Sequence, residues 1–232
     1  MSDAKAERRA RITGLYVIAD DAPSRRRDPR ETIDAALAAG VSVVQLRLKH
    51  ATDRDALELA RWAVARTRAH GALLILNDRF DLADLAGADG VHVGDTDLPP
   101  EQIPERVRER LLIGLSTHTL EQVDASRKRP VDYLGFGPVF ATSSKVSEHS
   151  PRGVELLGRA VRLAERPVVA IGGIDASCIA QVAAAGAAAA AVISAFADAE
   201  DPARAAVELR VAFAAGYRGP MSPGPVEPAD RS

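Results

Sequence analysis

Short apolar segments alternate with longer amphipathic segments along most of the chain. Eight of the apolar segments are rich in Val, Ile and Leu and show no strict alternation with polar residues. This pattern is typical of parallel strands that are covered on both faces. The predicted strands are residues 14–19, 41–47, 72–76, 90–93, 111–116, 132–137, 167–171 and 188–194.

The segments between these strands carry apolar residues at helical spacing. In PRETIDAALAAG, Ile33 and Leu37 lie about one helical turn apart, and Gly40 is a stop signal. The segments DRDALELARWAVARTRAHG, RGVELLGRAVRLAE and DPARAAVELRVAFAAG follow the same scheme. Eight such units predict an α/β fold, a single (β/α)8 TIM barrel over residues 12–215. An open doubly wound sheet is the alternative, but it seldom has eight parallel strands, and this chain contains no G-x-G-x-x-G motif.

The two ends of the chain differ from this pattern. Residues 1–11 are rich in charge, and residues 216–232 contain many prolines and glycines without an apolar period. We expect both segments to be flexible.

Composition narrows the classes of function. Of the 232 residues, 47% are apolar, which is enough for a real core. The net charge of -2 argues against a nucleic-acid-binding domain. No apolar run reaches about 18 residues, and the N-terminus lacks the apolar core of a signal peptide, so we expect no membrane contact and a cytoplasmic location. The single cysteine excludes an internal disulfide. The oligomeric state stays open, a homo-oligomer included.

Polar residues at the ends of the strands are the candidates for chemistry, because TIM-barrel active sites lie at the C-terminal ends of the strands. The second strand ends in QLRLK, and alternation places Gln45, Arg47 and Lys49 on one side. Two cations beside an amide suit an anionic substrate that also carries a hydrogen-bonding ring. A solvated strand end is the alternative.

Carboxylates follow the next two strands. Asp78 comes directly after the third strand, and Asp97 lies in the turn after the fourth. Mg²⁺ is typically held by one or two carboxylates, with water and phosphate oxygens completing its ligands. Together with the cations nearby, the two acids indicate a Mg²⁺ ion that bridges to a pyrophosphate group. Alternatively, Asp78 caps the helix predicted over residues 79–86, which would leave Asp97 unexplained.

Small residues follow the last two strands. Gly172 and Gly173 end the seventh strand, and Ser194 ends the eighth. Such a pair of turns predicts a phosphate site, because glycines let an anion approach backbone N–H groups. A tight turn without a ligand is the alternative for the glycine pair.

Seven motifs, in this order, resemble the thiamine-phosphate synthase family, to which the thiazole tautomerases are related. They are QLRLK, NDRFDLA, GADGVHVGDTDLP, GLSTHT, DYLGFGPVFATSSK, VAIGGI and AVISA. The resemblance implies a single TIM barrel and a transferase activity. Such an enzyme joins 4-amino-2-methyl-5-hydroxymethylpyrimidine diphosphate to 4-methyl-5-hydroxyethylthiazole phosphate and releases pyrophosphate.

The resemblance also implies roles for individual residues. It implies that the pyrimidine diphosphate is bound by Gln45, Arg47, Lys49, Asn77 and Lys145, with Ser116 nearby. Arg47, Lys49 and Lys145 would neutralise the leaving pyrophosphate, and Asp78 and Asp97 would bind Mg²⁺. The thiazole would lie against Thr142 and Ser144, and its phosphate against Gly172 or Gly173, Ile193 and Ser194.

The chain departs from the family pattern in two places that matter. Asp95 stands where the family commonly has Gln, so its role stays open, and Ser144 replaces Thr but keeps the hydroxyl. The run Arg25–Arg27 in the loop after the first strand is expected to be a solvated charge run. His92, inside a strand, is expected to be a packed ring.

Two other functions stay open. A thiazole tautomerase would need no metal and would use a residue such as His118 to move protons. That family tends to lack the two acids, whereas Asp78 and Asp97 are both present here. A third class is a catalytically silent barrel that only binds a phosphate ligand.

Overall fold

Eight parallel strands form a closed barrel. The structure is a computed structural model, and it describes residues 3–23, 25–142, 150–217 and 219. The strands are β1 (Gly14–Asp20), β2 (Val43–Arg47), β3 (Leu73–Asn77), β4 (Gly90–Val93), β5 (Leu112–Thr117), β6 (Tyr133–Phe136), β7 (Val168–Ile171) and β8 (Ala189–Val192). Each strand pairs in parallel with the next, and β8 pairs with β1. The predicted TIM barrel and its eight strands are confirmed, with small shifts at the strand ends.

Helices connect the strands on the outside. They are α1 (Asp3–Ala10), α2 (Pro29–Ala38), α3 (Asp53–Ala69), α4 (Phe80–Ala86), α5 (Glu105–Arg110), α6 (Leu120–Ser126), α7 (Gly153–Leu163), α8 (Ile179–Ala184), α9 (Ser194–Ala197) and α10 (Pro202–Gly216), with a short 3-10 helix at Pro100–Gln102. Asp28, Thr52 and Asp201 cap α2, α3 and α10 by accepting a bond from a backbone N–H of the first turn. No helix among the described residues is long and apolar enough to cross a membrane.

The core has two layers, because each strand faces both the barrel interior and the helices. The larger layer lies between the strands and the helices and includes Val17, Leu74 and Leu134. The smaller layer fills the barrel interior and includes Ile75 and Tyr133. A barrel filled in this way is a rigid support for the loops at its rim.

The N-terminal segment forms helix α1 and packs against the barrel, which differs from the flexible segment predicted for residues 1–11. Lys5 is buried, where its ammonium pairs with Asp132 Oδ2 at 2.9 Å and donates to the carbonyl of Arg108 at 2.6 Å. A buried ammonium needs such partners, and they hold the helix in place. Of the predicted C-terminal tail, residues 218 and 220–232 lie outside the described residues.

Candidate active site

The C-terminal ends of the strands surround a cavity of about 790 Å³. The predicted residues that line it are Arg47, Lys49, Asn77, Asp78, Asp97, Ser116, Thr142, Gly172, Gly173, Ile193 and Ser194. Ser144 and Lys145 lie outside the described residues. The barrel thus brings together at one rim side chains that are up to about 150 positions apart in sequence, as expected where parallel strands all end on one side.

Both cations at the end of β2 have carboxylate partners. Arg47 Nη1 lies 2.6 Å from Asp20 Oδ2, and the register of β1 and β2 pairs these two residues directly. Lys49 Nζ forms an ion pair with Asp78 Oδ2. The Asp20 carboxylate is buried, so it holds the guanidinium in one orientation at the rim. Asp20 was not predicted, because the predicted strand stops at residue 19 and the pairing with Arg47 depends on the register of β1 and β2.

Asp78 adopts an unusual backbone conformation at the exit of β3. Its φ of 62° lies in the left-handed region, and its N–H donates to the carbonyl of His92 at 2.7 Å. Helix α4 begins later, after Arg79, and has no side-chain cap. The capping alternative therefore fails, and the strained position at the rim points to a functional role.

Asp78 and Asp97 face each other across the loops that follow β3 and β4. Burial raises the pKa of Asp78, the adjacent carboxylate of Asp97 raises it further, and the ammonium of Lys49 lowers it. Asp97 Oδ2 also accepts a bond from the N–H of Gly94 at 2.7 Å. In the described part of the chain, no group of three or more His, Cys, Asp or Glu residues could hold a metal. Two adjacent carboxylates nevertheless fit Mg²⁺, which needs only one or two when phosphate and water supply the other ligands.

Asp95 lies in the same turn but contacts other residues. Its Oδ2 accepts a bond from Gln122 Nε2 at 3.2 Å and lies 3.8 Å from His118 Nε2. The other ring nitrogen of His118, Nδ1, lies 2.6 Å from the carbonyl oxygen of Gly137 and carries a proton there, because a carbonyl oxygen only accepts. Asp95 thus belongs to a contact between the loops after β4, β5 and β6.

The opposite wall of the cavity is made by the ends of β7 and β8. Gly172 and Gly173 have φ values of 100° and 62°, which favour glycine. A Cβ on Gly173 would lie 2.2 Å from the carbonyl oxygen of Ala141, so the glycine also lets the loop after β6 approach closely. Ser194 begins the short helix α9 directly after β8. A glycine turn beside a short helix after the last strand is a common phosphate site in TIM barrels.

Two residues differ from their predicted positions. Gln45 does not line the cavity but is buried, and its Nε2 donates to the Tyr16 hydroxyl at 2.9 Å. His92 was expected to be a packed ring, yet it lines the cavity, and its Nε2 lies 3.0 Å from Ser116 Oγ. The sequence carried little signal for this, since a histidine inside a short strand is usually part of the core.

Within the arginine run after β1, Arg25 and Arg27 are not solvated, which corrects the prediction, whereas Arg26 is exposed as expected. Arg25 Nη1 pairs with Asp198 Oδ2 at 2.7 Å, and the Arg25 side chain is 8% exposed. Arg27 donates to the carbonyls of Ala197 and Ala199. Carbonyls at the end of α9 lack helical partners, and a guanidinium with several donors can bind them. These two arginines therefore join the β1 loop to the loop after β8.

Comparison with known proteins gives a consistent result. The chain matches a family model described as thiamine monophosphate synthase over residues 15–196. It is 45% identical over 211 residues to a thiamine-phosphate synthase of Anaeromyxobacter dehalogenans, covering 91% of this chain and 92% of the relative. It is 38% identical over 212 residues to thiamine-phosphate synthase 1 of Aquifex aeolicus, covering 91% and 98%. Among solved structures it resembles a thiamine phosphate pyrophosphorylase from Pyrococcus furiosus, with a TM-score of 0.79, 36% identity and coverage of 88% and 97%.

Proposed function

The chain belongs to the thiamine monophosphate synthase family, and we propose that the cavity at the ends of its strands carries out that family's reaction. The function of the chain is thiamine-phosphate synthesis, in which a pyrimidine diphosphate is joined to a thiazole phosphate and pyrophosphate is released. The observation that carries the assignment of the cavity is its division into two walls. Arg47, Lys49 and the facing acids form one wall, and the glycine turn with Ser194 forms the other.

The first wall suits the diphosphate. Arg47, held by Asp20, lines the cavity with its guanidinium, and Lys49 adds an ammonium to the same lining, which also includes Asn77. Pyrophosphate leaves easily once its charge is neutralised, and cations in a site that excludes water act most strongly. We assign the same task to Lys145, by resemblance, since it lies outside the described residues.

Mg²⁺ fits the same wall, with Asp78 and Asp97 as its ligands. The acid pair is partly buried and mutually repulsive, which favours a cation between the carboxylates. A bound Mg²⁺ would supply positive charge to the phosphate oxygens of the leaving group. Lys49 now pairs with Asp78, and when the diphosphate is bound it would turn its ammonium toward the phosphate.

The second wall suits the thiazole phosphate. Gly172 and Gly173 expose the backbone, and Ser194 and Ile193 follow on the neighbouring strand. Thr142 approaches from the loop after β6 and would contact the thiazole ring. A phosphate held on this wall orients the thiazole nitrogen toward the methylene of the pyrimidine, and orientation alone can supply several kcal/mol of the barrier reduction.

This arrangement needs no protein nucleophile. As pyrophosphate departs, the aminopyrimidine ring delocalises the positive charge left on its methylene, and the thiazole nitrogen then attacks that carbon. The chain's part is to bind both substrates, neutralise the leaving group and exclude water.

Incubation of the protein with both substrates and Mg²⁺ tests the proposal. We expect thiamine phosphate, measured by fluorescence after oxidation, and none when either substrate is omitted. A protein that makes no thiamine phosphate but isomerises a thiazole carboxylate phosphate without any pyrimidine would contradict it and favour the tautomerase alternative.

A further inference from the structure

Five polar side chains form a continuous row of hydrogen-bonding contacts across the barrel interior, which we call the interior network. Gln45 Nε2 donates to the Tyr16 hydroxyl at 2.9 Å, and the hydroxyls of Tyr16 and Tyr133 lie 3.2 Å apart. The Tyr133 hydroxyl lies 3.1 Å from His92 Nδ1, and His92 Nε2 lies 3.0 Å from Ser116 Oγ. The network runs from the buried side chain of Gln45 to the hydroxyl of Ser116, which lines the cavity.

Two glycines make room for this network. A Cβ on Gly114, in β5, would lie 2.3 Å from Cζ of Tyr133 and 2.4 Å from Nδ1 of His92. A Cβ on Gly135, in β6, would lie 2.9 Å from Cε1 of His92. Any other residue would collide with the two rings, so these strand positions are matched to the network.

The network has a preferred direction. An amide nitrogen only donates, so the Tyr16 oxygen accepts from Gln45 and has its own proton available for Tyr133. Tyr133 then donates to His92 Nδ1, and His92 must carry its proton on Nε2. The reverse direction would leave the buried Tyr16 proton without an acceptor, which is unfavourable.

Both tyrosines stay protonated, as this direction requires. Burial raises the pKa of Tyr16 and raises that of Tyr133. A neutral phenol here accepts one hydrogen bond and donates one, so the donor-to-acceptor direction is the same at both tyrosines.

We propose that the interior network holds His92 in the tautomer with its proton on Nε2, and that this makes the Ser116 hydroxyl a hydrogen-bond donor toward the pyrimidine ring. Ser116 accepts from His92, so its own proton points away from the ring of His92. His92, Tyr133 and Tyr16 are positioning residues for Ser116. The inference rests on the proposed function, which supplies the pyrimidine.

Selectivity for the 4-aminopyrimidine follows from this direction. The ring nitrogen beside the amino group has a lone pair and accepts a bond from a hydroxyl. In the 4-oxo counterpart the same nitrogen carries a proton and cannot accept, so the bond donated by the Ser116 hydroxyl is lost. A hydroxyl whose proton is available to the ring nitrogen therefore favours the amino compound.

The tautomer is measured directly by ¹⁵N NMR of the histidine-labelled, ligand-free protein. The chain has five histidines, and a His92→Gln variant assigns the signal. We expect the Nε2-protonated form in the wild type and a loss of that preference in Tyr133→Phe, which removes the hydroxyl that donates to Nδ1. A wild-type ring protonated on Nδ1 would overturn the proposal.

The amino group of the pyrimidine also contributes to the chemical step. Selectivity is therefore measured by binding affinity rather than by turnover. Calorimetry with the 4-amino and 4-oxo pyrimidine diphosphates, with the thiazole phosphate omitted, should show that Tyr133→Phe lowers the preference for the amino compound at least about tenfold. Ile75→Val, also buried in the barrel interior, should keep the wild-type preference, and melting curves confirm that each variant is folded. Tyr16→Phe is the second variant if Tyr133→Phe does not fold.

An unchanged preference in a folded Tyr133→Phe or Tyr16→Phe protein would overturn the role in selectivity. A wild type that binds neither pyrimidine diphosphate would instead contradict the proposed function. The tautomer of His92 in the ligand-free protein would then still decide whether the network has the inferred direction.

Discussion

The Asp95 carboxylate faces the ring of His118, with Asp95 Oδ2 3.8 Å from His118 Nε2. Asp97, two residues further along the same turn, instead lies against the carboxyl of Asp78. One turn therefore presents two carboxylates to different partners. Asp95 can serve as a control for experiments on Asp97, since a charge is removed from the same loop in both cases.

Replacing either acid of the facing pair should impair turnover severely. We expect Asp78→Asn and Asp97→Asn each to reduce turnover at least about a hundredfold, because each removes a proposed Mg²⁺ ligand. High Mg²⁺ should restore part of the loss, as measured by kcat against Mg²⁺ concentration. Asp95→Asn should lose less than about tenfold, because its partners are Gln122 and His118. Wild-type turnover that is unchanged in excess EDTA would refute the metal role.

A substitution at Gly173 should distinguish the roles of the two walls of the cavity. A Cβ there would lie 2.2 Å from the carbonyl oxygen of Ala141, at a φ of 62°. We expect Gly173→Ala to raise KM for the thiazole phosphate roughly tenfold more than KM for the pyrimidine diphosphate, because it disturbs the glycine turn that we propose for the thiazole phosphate. Gly14→Ala is the matched control, since its φ of 77° imposes similar strain with nothing within 4 Å. Equal effects of Gly173→Ala on both substrates would show that the walls are assigned wrongly.

The fold could be predicted because its signal is repeated. Strands covered on both faces appear as short apolar runs, and each is followed by an amphipathic segment, so an error at one element leaves the pattern intact. The structure differs from the prediction for residues 1–11, where charge suggested flexibility, because residues 3–10 form helix α1. The ion pair between Lys5 and Asp132 holds this helix against the barrel. The two residues are more than 120 positions apart, so no local sequence pattern indicates the contact.

The candidate site could be predicted only at the strand exits. Arg47 and Asp78 stand there in the sequence, and parallel strands bring their ends together. Asp20 and the interior network depend on register between neighbouring strands, which composition and periodicity do not reveal. His92 was misread for that reason: its role becomes visible only when Tyr133 and Ser116 are seen on either side of its ring.

Of the arginines after β1, Arg25 should contribute to stability through its side chain. Arg25 pairs with Asp198, and loss of that ion pair should lower the free energy of unfolding by about 1 kcal/mol in Arg25→Ala, because the pair is partly buried and its geometry is good. Arg26→Ala should change it little, because Arg26 contacts Asp198 through its backbone N–H. Chemical denaturation measures the free energy of unfolding of both variants. Equal losses would show that the ion pair between Arg25 and Asp198 makes no specific contribution to stability.

The role of His118 distinguishes the synthase function from the tautomerase function. In a tautomerase it would have to carry a proton, for which a histidine is suited near neutral pH. Here its Nδ1 donates to the carbonyl of Gly137 at 2.6 Å, and its backbone N–H donates to Gln122 Oε1 at 2.6 Å. The bond to Gly137 ties the loop after β5 to the loop after β6, and the bond to Gln122 is a local one to the start of α6. Under the synthase function we therefore expect His118 to position loops and to transfer no proton.

We accordingly expect His118→Gln, which keeps a donor but cannot relay a proton, to lose less than about tenfold in thiamine phosphate formation, roughly 1.4 kcal/mol of barrier. Lys145→Ala should lose more than about a hundredfold, because it removes a charge whose contact strengthens as pyrophosphate departs. Steady-state rates of the two variants, each with intact melting curves, make the comparison. If His118→Gln is the more damaging change, His118 takes part in proton transfer, and the reaction assigned to this cavity would have to be an isomerisation.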